Sequence, residues 1–231
     1  MPQEIRVINL GGVNCYLVKI GDGYVLIDTG LPTKRTSLEK ELASAGCKPG
    51  NLKLIVLTHG DYDHAGNAAY LREKYGTKIA MHNNDSGRVE RGDWDWGLKA
   101  KPDKFPIFFR IVSGFIRPGK FDIFKPDIYV EDGQSLSEYG FDAKILHLPG
   151  HTKGSVGILI ASSDLFCGDL MDNMFGKPGL QFFIDDLAAA HASVEKLKKS
   201  KITIIYPGHG KSFLWEQFLK KNRQFQGLNR F

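Results

Sequence analysis

The stretch that most constrains this chain is "LKLIVLTHGDYDHAGN", residues 52–67, an apolar run that ends in two histidines and two aspartates within six positions. The run is rich in β-branched residues and reads as a buried strand over 52–59. Residues i, i+2 and i+4 of an extended segment share one side, so His59, Asp61 and Asp63 are expected to point together at its end. His64 is expected to begin the helix that follows, read over 64–76 and stopped by Gly76. A folding chain tolerates so much polarity at the end of a buried strand only if something satisfies it.

Three further polar clusters follow apolar runs in the same way. "LPGHTKGS" carries His151, "LFCGDLMDN" carries Asp169 and "IIYPGHGKS" carries His209. Taken singly, each is an ordinary turn residue. As a set, His59, Asp61, Asp63, His64, His151, Asp169 and His209 supply the imidazole and carboxylate donors that suit zinc, iron or manganese. Seven donors exceed one tetrahedral ion and suffice for two ions with one donor shared. Glycines at 150, 154, 168, 208 and 210 allow the tight turns that such a site requires.

The remaining elements read as strands at 5–10, 13–20 and 23–30, an antiparallel meander, then a helix at 33–46. A strand at 78–82 precedes a stretch, 83–127, with no clean period. It carries Trp94, Trp96, Phe105, Phe108, Phe109, Phe115, Phe121 and Phe124, broken by prolines. This reads as an elaborated connection or cap, with a short amphipathic helix over 105–116, and also offers a face for a homodimer. Strands at about 127–131, 142–148, 155–161 and 164–168, a helix at 185–200, a strand at 202–210 and a helix at 212–222 complete the chain. A length of 231 residues accommodates this as one domain over 1–231.

Composition narrows the function classes. Hydrophobic residues at 42% and charged residues at 25% describe an ordinary globular protein. A net charge of +5, without a basic stripe interleaved with aromatics, argues against nucleic-acid binding. The three cysteines, Cys15, Cys47 and Cys167, form no C-x-x-C and suit a reducing, cytoplasmic setting. The N-terminus lacks a basic region followed by a long apolar run, so no signal peptide is expected, and no run is long enough to span a membrane. The expected partner is a small-molecule substrate.

At this point the sequence resembles the metallo-β-lactamase superfamily. That family carries H-x-H-x-D-H, a P-G-H-T-x-G-S-like turn, a G-D step and a late G-H, here "HGDYDH", "PGHTKGS", "CGDL" and "PGHG". The "LIDTG" with Asp28 is similar to its first motif. The resemblance spans residues 13 to 210. It implies an α/β (α+β) fold, a four-layer αββα sandwich of two mixed sheets flanked by helices, with the site at one edge. It implies two divalent ions, zinc first, with iron and manganese as alternatives. His59, Asp61 and His151 would hold one ion, Asp63, His64 and His209 the other. Asp169 would bridge, and Asp28 would orient a ligand through a hydrogen bond.

One position departs from the family. Its second motif histidine is Asp61 here, which makes the ligand shell one charge less positive and tilts preference toward iron or manganese. The di-iron flavoproteins of the family carry Glu at this place, with a flavin domain for which this chain has no room. Asp61→His is therefore expected to restore the family's ligation and raise zinc content. The implied activity is metal-assisted hydrolysis by a hydroxide held at the dinuclear site, on an ester, thioester, lactone or related bond, with Asp63 also handling the proton. The short stretch after His209 argues against a glutathione thioester hydrolase. An iron-dependent oxidoreductase of oxygen, nitric oxide or persulfide chemistry is the alternative. No nucleophile elbow supports a covalent serine route.

Overall fold

Alternation along the first strands decides which layer each side chain enters. The computed structural model describes residues 3–93, 95–104, 122–222 and 225. In it β1 (Ile5–Asn9), β2 (Asn14–Ile20) and β3 (Gly23–Ile27) pair antiparallel, as a meander should. The chain then turns through Pro32–Lys34 into α1 (Arg35–Ser44) and returns as β4 (Leu52–Val56), parallel to β3. Next come α2 (Tyr62–Ala65), α3 (Ala68–Tyr75) and β5 (Lys78–His82), parallel to β4. Helical crossovers are what parallel pairing requires. After α4 (Asn83–Arg91), β6 (Ile128–Val130) closes a mixed six-stranded sheet in the order β1-β2-β3-β4-β5-β6.

The second sheet begins with the antiparallel strands β7 (Ala143–His147), β8 (Val156–Ile160) and β9 (Asp164–Gly168). A short hairpin, β10 (Met171–Asp172) with β11 (Gly179–Leu180), leads to α5 (Leu187–Leu197). This helix crosses over to β12 (Ile204–Pro207), parallel to β9, and β13 (Phe213–Leu214) precedes α6 (Trp215–Lys221). The sheet order is β13-β12-β9-β8-β7.

Three apolar clusters fill the spaces between four layers. Leu17, Leu26 and Ile55 meet Leu38 and Leu42 of α1 and Leu71 of α3. Their neighbours Val18, Val25, Ile27, Leu54 and Val56 point the other way, onto Ile145, Ile158 and Phe166 of the second sheet. Leu165, Cys167 and Ile205 then face Val194 and Leu197 of α5 and Phe218 of α6. Period-two alternation, apolar on both faces, is what a sheet covered on both sides demands. The result is a helix–sheet–sheet–helix sandwich. No helix among the described residues is long and apolar enough to cross a membrane.

Several boundaries differ from the sequence reading. The strand expected to reach residue 59 ends at Val56, and the helix expected over 64–76 is two helices broken around Gly66 and Asn67. Residues 83–91, expected to be irregular, form α4. Its first turn is capped by His82, whose Nδ1 accepts from Asn84 N at 3.2 Å. Trp94, Phe105, Phe108, Phe109, Phe115, Phe121 and the helix read over 105–116 lie outside the described residues. Phe124 is buried in the first apolar cluster.

Candidate functional site

Four strands end at the same edge of the sandwich, and register sets their loops side by side. Pairing of Pro207 with Gly168 brings His209 next to Asp169. Pairing of Ile27 with Val56 brings Asp28 next to Thr58. Thr58 O also accepts from Val156 N at 2.8 Å, which joins the first sheet's loop to the second sheet.

The structure gathers His59, Asp61, Asp63, His64, His151, Asp169 and His209 into one cluster. Three triads have ligand atoms within 4.8 Å of one another: His59, Asp61 and His151; His59, His64 and Asp169; and Asp63, His64 and His209. The reason for convergence differs from the one expected. β4 has already ended, so strand alternation does not aim these side chains. His59 and Asp61 lie in a loop, and Asp63 and His64 are in α2.

Each imidazole is oriented by its outer nitrogen. His151 Nδ1 donates to Phe183 O and His209 Nδ1 to Gly12 O, both at 2.9 Å, since a carbonyl can only accept. His64 Nδ1 meets Asp28 Oδ2 at 2.8 Å, and His59 Nδ1 meets Thr58 Oγ1 at 2.9 Å. Thr58 in turn donates its hydroxyl to Asp28 Oδ2 and its N–H to Asp28 Oδ1, both at 2.8 Å. Asp28 thus fixes two imidazoles, one directly and one through Thr58.

With the four Nδ1 atoms committed, four Nε2 atoms face three carboxylates. His151 Nε2 is 3.1 Å from Asp61 Oδ2, and His209 Nε2 is 3.1 Å from Asp169 Oδ2 and 3.5 Å from Asp63 Oδ2. His64 Nε2 is 3.4 Å from Asp169 Oδ1. Asp169 Oδ2 also accepts from Gln181 Nε2 at 3.0 Å. Among the described residues, His59 Nε2, His64 Nε2 and Asp169 Oδ1 are buried without a hydrogen-bond partner. Lone pairs turned toward lone pairs, in a buried place, need cations between them. The donor set therefore fits divalent metal ions.

The electrostatic balance within the cluster carries the same demand. Burial would lower His64, but Asp169, Asp63 and Asp28 outweigh it and push it up to about 10. Burial opposes His209 too, and Asp169 carries it up to about 9. Burial drives His59 down to about 3 and lowers His151. Asp169 resists burial because His209 and His64 hold its carboxyl well below the usual range.

Two contributors on α4 escape a reading of the sequence. Asp85, 1% exposed, accepts from Gly60 N at 2.9 Å, Thr152 Oγ1 at 2.7 Å and Gly154 N at 2.8 Å. A Cβ on Gly154 would lie 2.6 Å from Asp85 Oδ1, so this loop needs glycine. Arg88, 3% exposed, donates from Nη1 to Asp61 Oδ1. Burial lowers Arg88 to about 10, which leaves it charged at neutral pH. "NNDSGRVER" has little apolar content to announce a helix. The available signal is "DSGR" two residues after a strand, with Asp and Arg at i, i+3 on one helical face.

The cluster floors an open cavity of about 310 Å³ whose walls include Leu98, Phe182 and Phe183 beside Asp63, Arg88 and Asp95. The loop lysines Lys153 and Lys177 are exposed, and neither lines this cavity.

A family model described as the metallo-beta-lactamase superfamily matches residues 8–209. Hydroxyacylglutathione hydrolase GloC of Haemophilus influenzae is 35% identical over 125 residues, 52% of this chain and 50% of that protein. The chain spans about half the length of that relative and of the hydroxyacylglutathione hydrolase of Pelagibacter ubique, 50% and 56%. Among solved structures, the BLEG-1 B3 metallo-beta-lactamase superposes with a TM-score of 0.73 at 23% identity, over 97% of this chain and 100% of that one. TTHA1623 in a di-iron-bound form gives 0.68 at 26% identity, over 95% and 98%.

Proposed function

The chain belongs to the metallo-beta-lactamase superfamily, and on that premise we propose that it is a metal-dependent hydrolase of small-molecule acyl thioesters, with esters and lactones as the neighbouring substrate class. The observation that carries this reading is the convergence of four Nε2 lone pairs on three carboxylates at the floor of an open cavity. The thioester preference is supported by the name of the Haemophilus influenzae relative, a hydroxyacylglutathione hydrolase, and runs against the expectation drawn from the short stretch after His209.

In this reading His59, Asp61 and His151 would hold one divalent ion and Asp63, His64 and His209 a second, with Asp169 within reach of both sets. Bound divalent ions supply Lewis acidity, which acidifies water to a pKa of about 7 and polarises a carbonyl. The chain's own residues do the rest. Asp28 and Thr58 keep His64 and His59 in the tautomer that presents Nε2. Asp63, whose side chain is 32% exposed, is the cluster carboxylate with most access to the cavity. It takes the proton of the attacking water and returns it to the leaving sulfur. Leu98, Phe182 and Phe183 pack the acyl part and keep bulk water from it. Three free, buried cysteines fit a reducing, cytoplasmic setting.

A second reading has its own observation. A carboxylate at Asp61 suits iron, and the TTHA1623 structure is di-iron-bound at 26% identity. Metal analysis of protein purified without chelators or affinity metal, joined to an assay on S-acylglutathione, acyl-CoA and lactone substrates, separates the two. About two zinc or manganese ions per chain and chelator-sensitive thioester cleavage are expected. Iron as the dominant metal, with oxygen consumption and no hydrolysis, establishes the oxidoreductase. A chain that takes up no ion on titration overturns both.

A further inference from the structure

The carboxylate of Asp61 is divided between two neighbours. Its Oδ1 is held by Arg88 Nη1. Its Oδ2 faces the other way, 3.1 Å from His151 Nε2 and 3.6 Å from His59 Nε2. Arg88 reaches Oδ1 from α4, one turn beyond Asp85, and Asp85 is fully engaged with Gly60, Thr152 and Gly154. The helix that clasps the two loops therefore also delivers a cation to one oxygen of one candidate ligand.

Resting on the metal reading above, we infer that Asp61 and Arg88 act as one unit that stands where a neutral imidazole would: the carboxylate ligates through Oδ2 while the guanidinium cancels its charge at Oδ1. The chemistry of arginine suits the task. Its guanidinium does not lose its proton in proteins, and its planar fork fixes the carboxylate plane. A charge-assisted bond of this kind leaves one oxygen free to point inward. The extra negative charge that the sequence assigns to this site is thus balanced within the protein, and Arg88 is a positioning residue for Asp61.

The pairing reverses an expectation drawn from the family pattern. Asp61→His alone places an imidazole against a buried cation and removes the charge that balances it. Metal binding weakens as a result. Asp61→His combined with Arg88→Gln removes both charges and recovers it.

The test is a zinc titration of metal-free protein against a chromophoric chelator, which reports stoichiometry and affinity independently of turnover. Arg88→Gln is expected to bind one of its two ions about 10–100-fold more weakly than wild type. Arg88→Lys, which keeps the charge and loses the fork, falls between them. Asp61→His is weaker than wild type, and the double variant binds more tightly than either single variant. Should Arg88→Gln fail to fold by circular dichroism, Arg88→Lys against the double variant decides. Equal affinity in wild type and Arg88→Gln, or an Asp61→His variant tighter than wild type with nothing gained from the second change, overturns the inference. Wild type that binds no ion overturns the metal reading itself and is a separate result.

Discussion

Asp85 Oδ2 accepts the hydroxyl proton of Thr152 at 2.7 Å, a bond that joins α4 to the loop carrying His151. The same carboxylate takes the N–H of Gly60, between His59 and Asp61, so one buried side chain clasps the loops of both sheets. In Asp85→Asn an amide NH2 must face a donor that the carboxylate accepted. A buried donor left unpaired costs about 1–3 kcal/mol. The variant is expected to lose about 3 kcal/mol in the metal-free state, a Tm drop on the order of 10 °C. Thermal unfolding of metal-free protein checks this. A midpoint within about 2 °C of wild type would remove Asp85 from this role.

Asp28 sits at φ 58°, a left-handed conformation that Asn also tolerates, so Asp28→Asn keeps the backbone. It does not keep the hydrogen bonds. Three donors, Thr58 N, Thr58 Oγ1 and His64 Nδ1, share two carboxylate oxygens, and an amide has only one. His64 is then free to carry its proton on Nε2, toward Asp169. The expected result is a metal affinity about 10–100-fold lower with an unchanged fold. Chelator competition measures it, and NMR of the imidazole nitrogens reads the tautomer. Retention of the wild-type tautomer would show that Asp28 does not set it.

How much of this is legible in the sequence depends on where the causes lie. His59, Asp61, Asp63 and His64 are readable because four polar groups crowd six positions after an apolar run. His151, Asp169 and His209 are readable because each breaks a run at a glycine turn. The two apolar faces of β3 and β4 are likewise local, since Leu26 and Ile27 simply alternate. Arg88 and Asp85 are not local. Their helix is held by His82 at its start and by bonds from Asp85 to loops 25 and 69 residues away in sequence. Periodicity carries no trace of such contacts. The same gap makes Asp61 read as an uncompensated charge, because its counter-ion lies 27 residues further along.

His82 gives the fold a pH dependence of known sign. Its Nδ1 caps α4, and its ring stacks on His147 with centroids 4.2 Å apart and planes 5° apart. Burial, then His147, lowers its pKa from 6.5. The unfolded chain therefore takes up this proton first. The contribution is fully present above about 6.5 and is lost as pH falls through the lowered folded value. Asn is a good helix cap without a titrating ring. Denaturant unfolding of wild type and His82→Asn between about pH 7.5 and 5 should show wild type losing stability relative to the variant. A constant difference across that range would mean that the ring does not titrate against folding.

Gly208 offers the sharpest steric test of the cluster. A Cβ there would lie 2.1 Å from Asp169 Oδ1 and 2.7 Å from His64 Cε1. The backbone cannot retreat, because Gly208 N donates to Gly168 O and Gly208 O accepts from Asn14 N, both at 2.8 Å. The methyl of Gly208→Ala must therefore displace Asp169, whose other oxygen is held by Gln181 and His209. Misplacement of a reacting group by about 1 Å costs on the order of 100-fold in rate. The variant is expected to fold, to lose one of two ions and to hydrolyse thioester on the order of 100-fold more slowly. Gly76→Ala is the control. Gly76 has φ 64° with nothing within 4 Å of its Cβ, so the change strains the backbone and leaves the site alone. It should lower Tm while metal content and rate stay at wild-type values. If Gly208→Ala keeps both ions and full rate, Asp169 is not placed by this contact.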